Sequence, residues 1–225
     1  KICTLEVYRE KIEMLGFEFS SLRPNLDPED RELARELMDT RKGSERIVKD
    51  IMLENIRPMF EDLMKATENA EVLISGEIVF ASHSIAEKRK IKHITTTLAP
   101  LSMFSVYGEN VYPNVVWLKN LNFLGSPFHR ILLRGMQKVV SSWLTEYRKF
   151  RCEIGLSEDH NPIVDGKFSD LLHLAMFSKV LGKPQPDWHF STVQTGFCFY
   201  DGQKDLGKMP EGLQEFLTCD LVGPT

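Results

Sequence analysis

The stretch Glu71–Pro100, EVLISGEIVFASHSIAEKRKIKHITTTLAP, constrains the fold more tightly than any other part of the chain. Val72–Ile74 is a short apolar run, and Ser75-Gly76-Glu77 is turn chemistry that can also open a helix. Ile78, Ala81, Ser82, Ile85 and Ala86 recur at helical spacing, and Glu87-Lys88-Arg89-Lys90 forms a charged, solvated helix end. Ile91–Leu98 is β-branched and apolar like a buried strand, and Pro100 stops it. Strand, helix and strand in this order make a βαβ crossover, which commits the chain to a parallel sheet.

The flanking segments extend the same pattern. Thr4 is a plausible N-cap for a helix through Leu15, with Gly16 as its left-handed stop. Phe17, Phe19 and Leu22 alternate with polar residues as a half-buried strand, whose parallel partner is expected before Lys1. Asp27-Pro28 starts a helix to about Arg41. Glu45 to about Ala66 reads as one long amphipathic helix, kinked or split at Arg57 by Pro58. A further helix runs from Ser126-Pro127 to about Ile154 and ends at Gly155. Leu171–Phe177 and Val193–Phe199 read as buried strands, and Met209-Pro210-Glu211 opens a short helix to about Leu217. The sum is an α/β fold: a Rossmann-like, mostly parallel sheet with helices on both faces.

A chain of 225 residues, 42% hydrophobic, can bury a substantial core. Its net charge of −4, with basic and acidic residues interspersed, argues against a nucleic-acid partner. The four cysteines, at 3, 152, 198 and 219, have no metal-ligand spacing and read as separate, reduced thiols of a cytoplasmic protein. No apolar run reaches the ~18 residues of a membrane span. Lys1 and Thr225 both read as points inside a longer chain, so a fragment is expected.

Motifs of known chemistry are sparse. The sequence contains no GxGxxG, P-loop or GxSxG, and its six histidines (83, 93, 129, 160, 173 and 189) lack metal-ligand spacing. His93 and His173 fall in expected strands, where a structural role is the simpler reading. Glu77 is better placed, at the carboxyl end of a strand where open α/β sheets bind ligands; capping the next helix is its other reading. Ser102–Phe123 is aromatic and irregular, suited either to packing beneath a partner domain or to lining an apolar pocket.

The order of these segments resembles a known family. SSLRPNLDPEDRELARELM, NIRPMFEDLMKATENAEVLISGEIVFASHSIAEK and HITTTLAPLSMFS look like the N-terminal half of a bacterial family 1 glycosyltransferase, of the macrolide, flavonoid and sterol glucosyltransferase-like branch. LLHLAMFSKVLGKPQPDWHFSTVQTGFCFYDGQ and MPEGLQEFL are similar to the last strands of that half and its linker helix. The resemblance implies the N-terminal half of a GT-B fold. Residues 1–208 would be the acceptor-side domain, lacking its first strand and loop, and 209–225 the start of a linker to a C-terminal donor domain.

The activity so implied is transfer of a hexosyl group from a UDP-sugar to a hydroxyl of a lipophilic small molecule, with inversion. A general base deprotonates the acceptor hydroxyl for in-line attack. In this family the base is a His in the loop after the first strand, expected before Lys1, and an orienting Asp follows the strand that ends here at Gly76. Glu77, one residue later, is a stand-in for that Asp. Glu77, Phe80, Leu98, Pro100, Met103 and Phe104 become the acceptor-binding candidates, with no metal and no cofactor bound by this chain. A non-catalytic α/β lipid- or metabolite-binding module is the alternative, and a sugar-nucleotide epimerase a more distant one.

Overall fold

A computed structural model describes residues 1–108, 120–121, 123–199 and 212. Among them the elements run β1 (Ile2–Thr4), α1 (Arg9–Met14), β2 (Phe19–Ser21), α2 (Arg31–Leu37), α3 (Gly43–Arg46), α4 (Ile56–Ala66) and β3 (Val72–Gly76). They continue as α5 (Ala81–Arg89), β4 (Lys92–Thr97), α6 (Gly125–Trp143), α7 (Thr145–Glu153), β5 (Leu172–Ala175) and β6 (Thr192–Gln194). β3, β4, β5 and β6 form a parallel sheet in that spatial order, and β1 and β2 pair as a separate parallel ribbon. Parallel sheets flanked by helices make this a Rossmann-like α/β fold, as the βαβ pattern requires.

The anchoring unit forms as strand, helix and strand, but Ile78 precedes α5 and is exposed, the buried side chains of β4 are polar, and several flanks differ for local reasons. Ile2–Thr4 is a strand rather than the start of a helix, and it pairs with β2 through Ile2 and Phe19. The parallel partner of β2 expected before Lys1 therefore lies within the chain. Helix α1 begins only at Arg9, after a 3-10 turn, and Gly16 closes it with φ of 81°. Asp30, not Asp27, caps α2: its carboxylate accepts from the Glu32 and Leu33 amides at 2.9 and 3.0 Å.

The long helix expected over 45–66 is three pieces: α3, a π-helical turn at Ile47–Leu53, and α4. Pro58 does not break it at Arg57, because α4 restarts at Ile56 and places the proline in a first turn, where no amide is needed. The helix expected over 126–154 divides at Leu144 into α6 and α7. β6 is shorter than expected and stops ahead of Gly196, which has φ of 81°. The expected helix at Met209–Leu217, the 208/209 boundary and Tyr112, Pro113 and Trp117 lie outside the described residues.

The main core joins Val48, Ile51, Met52 and Ile56 to Leu63, Phe80, Ile85, Tyr147 and Phe150, so α4, α5 and α7 converge on one face of the sheet. Cys3 and Leu22 reach the same core from the β1–β2 ribbon. Arg23, just past β2, locks the ribbon to α4 with a forked pair to Asp62 at 2.7 and 2.8 Å, and this holds the Asp62 carboxyl below its ordinary range. Cys3, Cys152 and Cys198 are free thiols. No helix among the described residues is long and apolar enough to cross a membrane.

The two faces of the four-stranded sheet are unlike. Ser75, His93, Thr95, Thr97, His173 and Ala175 point to the well-covered face and are buried. The register sets Ile74, Ile94 and Leu172 side by side on the opposite face, where Val72 is 44% exposed, Ile74 62% and Val193 50%. The apolar face of this sheet is thus the less covered one.

Gly43 offers a test of the break between α2 and α3. A Cβ there would overlap the Leu37 carbonyl. Gly43→Ala is expected to destabilise the protein by about 1–3 kcal/mol, seen as a lower urea midpoint at unchanged slope.

Candidate functional site

The carboxyl ends of β3 and β4 meet in a small polar cluster within an apolar surround. The Glu77 carboxylate, one residue past β3, accepts from Ser102 Oγ at 2.7 Å and from Thr97 Oγ1 at 3.5 Å. Ser102 belongs to the 3-10 turn Pro100–Ser102, which the Pro100 ring starts once β4 has ended. Glu77 therefore ties the β3 end to the β4 end through side chains, where the backbone ladder has run out. Ile78, Leu98 and Leu101 around it are 56%, 67% and 68% exposed.

A lysine that the sequence reading did not single out completes the cluster. Lys167, just before β5, is buried, and its ammonium donates to the Ser102 carbonyl. It also faces two aromatic rings, Phe104 at 4.9 Å and Phe168 at 5.2 Å from the ring centres. Burial lowers its pKa to about 8, against the pull of Glu77 and Asp165 toward the charged form. Beneath lies a second apolar cluster of Met103, Ala175 and Phe177, flanked by Phe168 and Trp188. Asp187 pins the strand of chain above it, accepting from Ser105 Oγ at 2.6 Å and the Val106 amide at 2.8 Å.

Of the candidates read from sequence, Glu77, Met103 and Phe104 come together here. Leu98 projects beside them into solvent. Pro100 packs on the turn at Gly182, where a Cβ would come within 2.7 Å of its ring. Phe80 lies elsewhere: its side chain is in the main core, and its carbonyl receives the Tyr147 hydroxyl at 3.5 Å. Lys167 could not be found by motif, since one lysine between Gly166 and Phe168 has no distinguishing spacing; only the fold reveals its burial.

The fold also collects histidines that the sequence leaves scattered. His83 on α5 meets His93 on β4 and His160 in the loop after α7, with ring centres 4.3 and 4.8 Å apart. Ser75 Oγ hydrogen-bonds His93 Nε2 at 2.8 Å, and the Tyr147 hydroxyl hydrogen-bonds His160 Nδ1 at 2.9 Å. Burial is the main cause that drives their pKa values down, to about 4 for His83 and about 3 for His93 and His160. Among the described residues no group of three or more His, Cys, Asp or Glu is placed to hold a metal. The three rings pack together inside the fold, where burial favours their neutral form.

Neither a scan against protein-family models nor a search of the curated proteins matches this chain.

The trio gives stability a definite pH dependence. Histidine in the unfolded chain titrates near 6.5, above all three folded values. Above pH 6.5 both states are neutral there and these residues contribute no slope. As pH falls from 6.5 toward 4 the unfolded state takes up protons that the folded state refuses. Stability then falls, by about 1.4 kcal/mol per pH unit for each histidine that stays neutral. Urea midpoints measured from pH 7.5 to 4.5 are expected to be level above 6.5 and to drop below it. His83→Asn is expected to make the drop shallower.

Proposed function

We propose that the carboxyl edge of the sheet around Glu77 binds a lipophilic small molecule that carries a hydroxyl group, as the acceptor-side part of a UDP-sugar-dependent glycosyltransferase of GT-B architecture. The observation that carries this reading is chemical contrast: one hydrogen-bonded carboxylate set among solvent-facing Ile78, Leu98, Leu101 and Phe104. Binding sites for such ligands are mostly apolar, with a few fixed polar groups that orient the molecule. The resemblance of the segments in 20–105 and 171–217 to family 1 glycosyltransferases supplies the reaction class.

In this reading the apolar side chains gain from the ligand's rings, and Glu77 orients its hydroxyl or the base that deprotonates it. Ser102 and Thr97 keep the Glu77 carboxylate fixed before the ligand arrives, so less ordering is needed on binding. The hexosyl donor belongs to a C-terminal donor domain, which would hold its pyrophosphate at a helix N-terminus. This chain alone binds the acceptor and transfers nothing. A non-catalytic lipid- or metabolite-binding module would use the same edge and differ only in lacking a donor partner.

The experiment is a thermal-shift series with testosterone, 7-hydroxyflavone and UDP. At least one of the two hydroxylated lipophiles is expected to raise the melting temperature, and UDP is expected to leave it unchanged. Phe104→Ala should weaken lipophile binding by about 10-fold, the scale of one aromatic contact. Stabilisation by UDP with none by either lipophile, or sugar transfer by this polypeptide alone, would overturn the reading.

A further inference from the structure

We infer that Lys167 is the positioning residue of the Glu77 edge: its buried side chain ties the Pro100–Ser102 turn and the Phe104 ring into the one geometry that presents Glu77 to a ligand. This rests on the proposed lipophile-binding role of that edge and adds to it the group that organises it.

The argument starts from the cost of burying an amine. An ammonium removed from water needs close compensation, and Lys167 is the one buried lysine among the described residues. No carboxylate comes within ion-pair distance of it in the described salt bridges, so a simple structural ion pair does not account for its position. Its compensation is assembled instead from parts of the site. The Ser102 carbonyl takes its hydrogen bond, Phe104 and Phe168 offer their ring faces, and Glu77 adds a longer-range attraction.

Each of these contacts fixes something that a ligand would touch. The bond to the Ser102 carbonyl sets the turn whose hydroxyl, on the same residue, donates to Glu77. Contact with Phe104 sets the rotamer of a ring that is 39% exposed and forms part of the apolar surround. Lys167 thus reaches both the polar anchor and the apolar wall from one atom, without itself being exposed. From β5, His173 is kept toward its neutral form chiefly by burial, with the charge of Lys167 acting in the same direction. Asp165, in the segment just before the lysine, and Glu77, past β3, are the acidic groups acting on it. The Phe104 and Phe168 rings face the ammonium as well.

The titration of the amine separates positioning from support. Its folded pKa of about 8 lies below the unfolded value near 10.4. Between these the unfolded state holds the extra proton, so global stability is expected to rise with pH in that window. The same loss of charge removes the cation–π contact and the pull on Glu77, so ligand affinity is expected to fall. A lysine that merely supports the fold would show the same rise in stability with pH and no matching transition in affinity.

The test uses the full chain with Lys167→Met and Lys167→Arg. Amide hydrogen exchange at Met103 and Val106 is the readout that needs no ligand. Lys167→Met is expected to speed it by at least 10-fold while β4 and α5 stay protected, and Lys167→Arg is expected to restore most of the protection. Testosterone, which does not ionise, is then titrated from pH 7 to 9.5. Wild type is expected to lose affinity above pH 8 as its stability rises, whereas Lys167→Met should bind at least 10-fold more weakly at pH 7 with no such transition. Unchanged exchange at Met103 and Val106 in a folded Lys167→Met protein would overturn the inference. Should neither testosterone nor 7-hydroxyflavone bind the wild type, the lipophile reading falls, and the exchange data still decide the part played by Lys167.

Discussion

The sheet depends on a polar strand packed where apolar residues are the rule. β4, with the sequence KHITTT, turns His93, Thr95 and Thr97 toward the covered face and buries all three. Each finds a partner on a neighbouring element. His93 bonds Ser75 of β3, Thr95 bonds His173 of β5 at 2.8 Å, and Thr97 reaches Glu77. Ser169 knits the same face from above, donating to the His93 carbonyl at 2.6 Å and offering its amide to Thr95 Oγ1 at 3.0 Å. A buried polar group left alone costs about 1–3 kcal/mol, so these bonds fix strand register and loop position far more narrowly than apolar contact does.

This ladder explains why the candidate site lies where it does. At the His93 end its partners are serine and histidine, neutral and enclosed. At the Thr97 end the partner becomes a carboxylate, and the surrounding side chains change from packed to solvent-facing. Glu77 is therefore the last rung of a structural network as well as the first polar group a ligand would meet. The helix-capping reading of Glu77 does not hold, because the next helix begins at Ala81 without a side-chain cap and the carboxylate is bonded to Ser102 and Thr97 instead.

What could be read from the sequence and what could not divides along physical lines. The βαβ unit at 71–100 was legible because apolar periodicity and turn residues agree there over thirty positions. Thr4 has the chemistry of a helix cap, and only pairing with Phe19–Ser21 makes Ile2–Thr4 a strand. Pro58 reads as a helix breaker because sequence does not show that the helix has just restarted. Glu77, Met103 and Phe104 could be named because they follow strand ends, which is a rule about topology. Lys167 and the His83–His93–His160 trio could not, because their meaning lies in contacts between segments up to about 77 residues apart, and burial of a polar side chain has no local signature.

The sheet's less covered face, carrying Val72, Ile74, Ile94, Leu172, Leu174 and Val193, has a consequence for how the protein behaves in bulk. Lys92 and Thr96 interrupt this face by register, and its exposed aliphatic side chains can still attract apolar matter, including other copies of the chain. Sulfate and similar salts, by strengthening apolar burial, would push the chain toward turbidity, and mild non-ionic detergent would hold it clear.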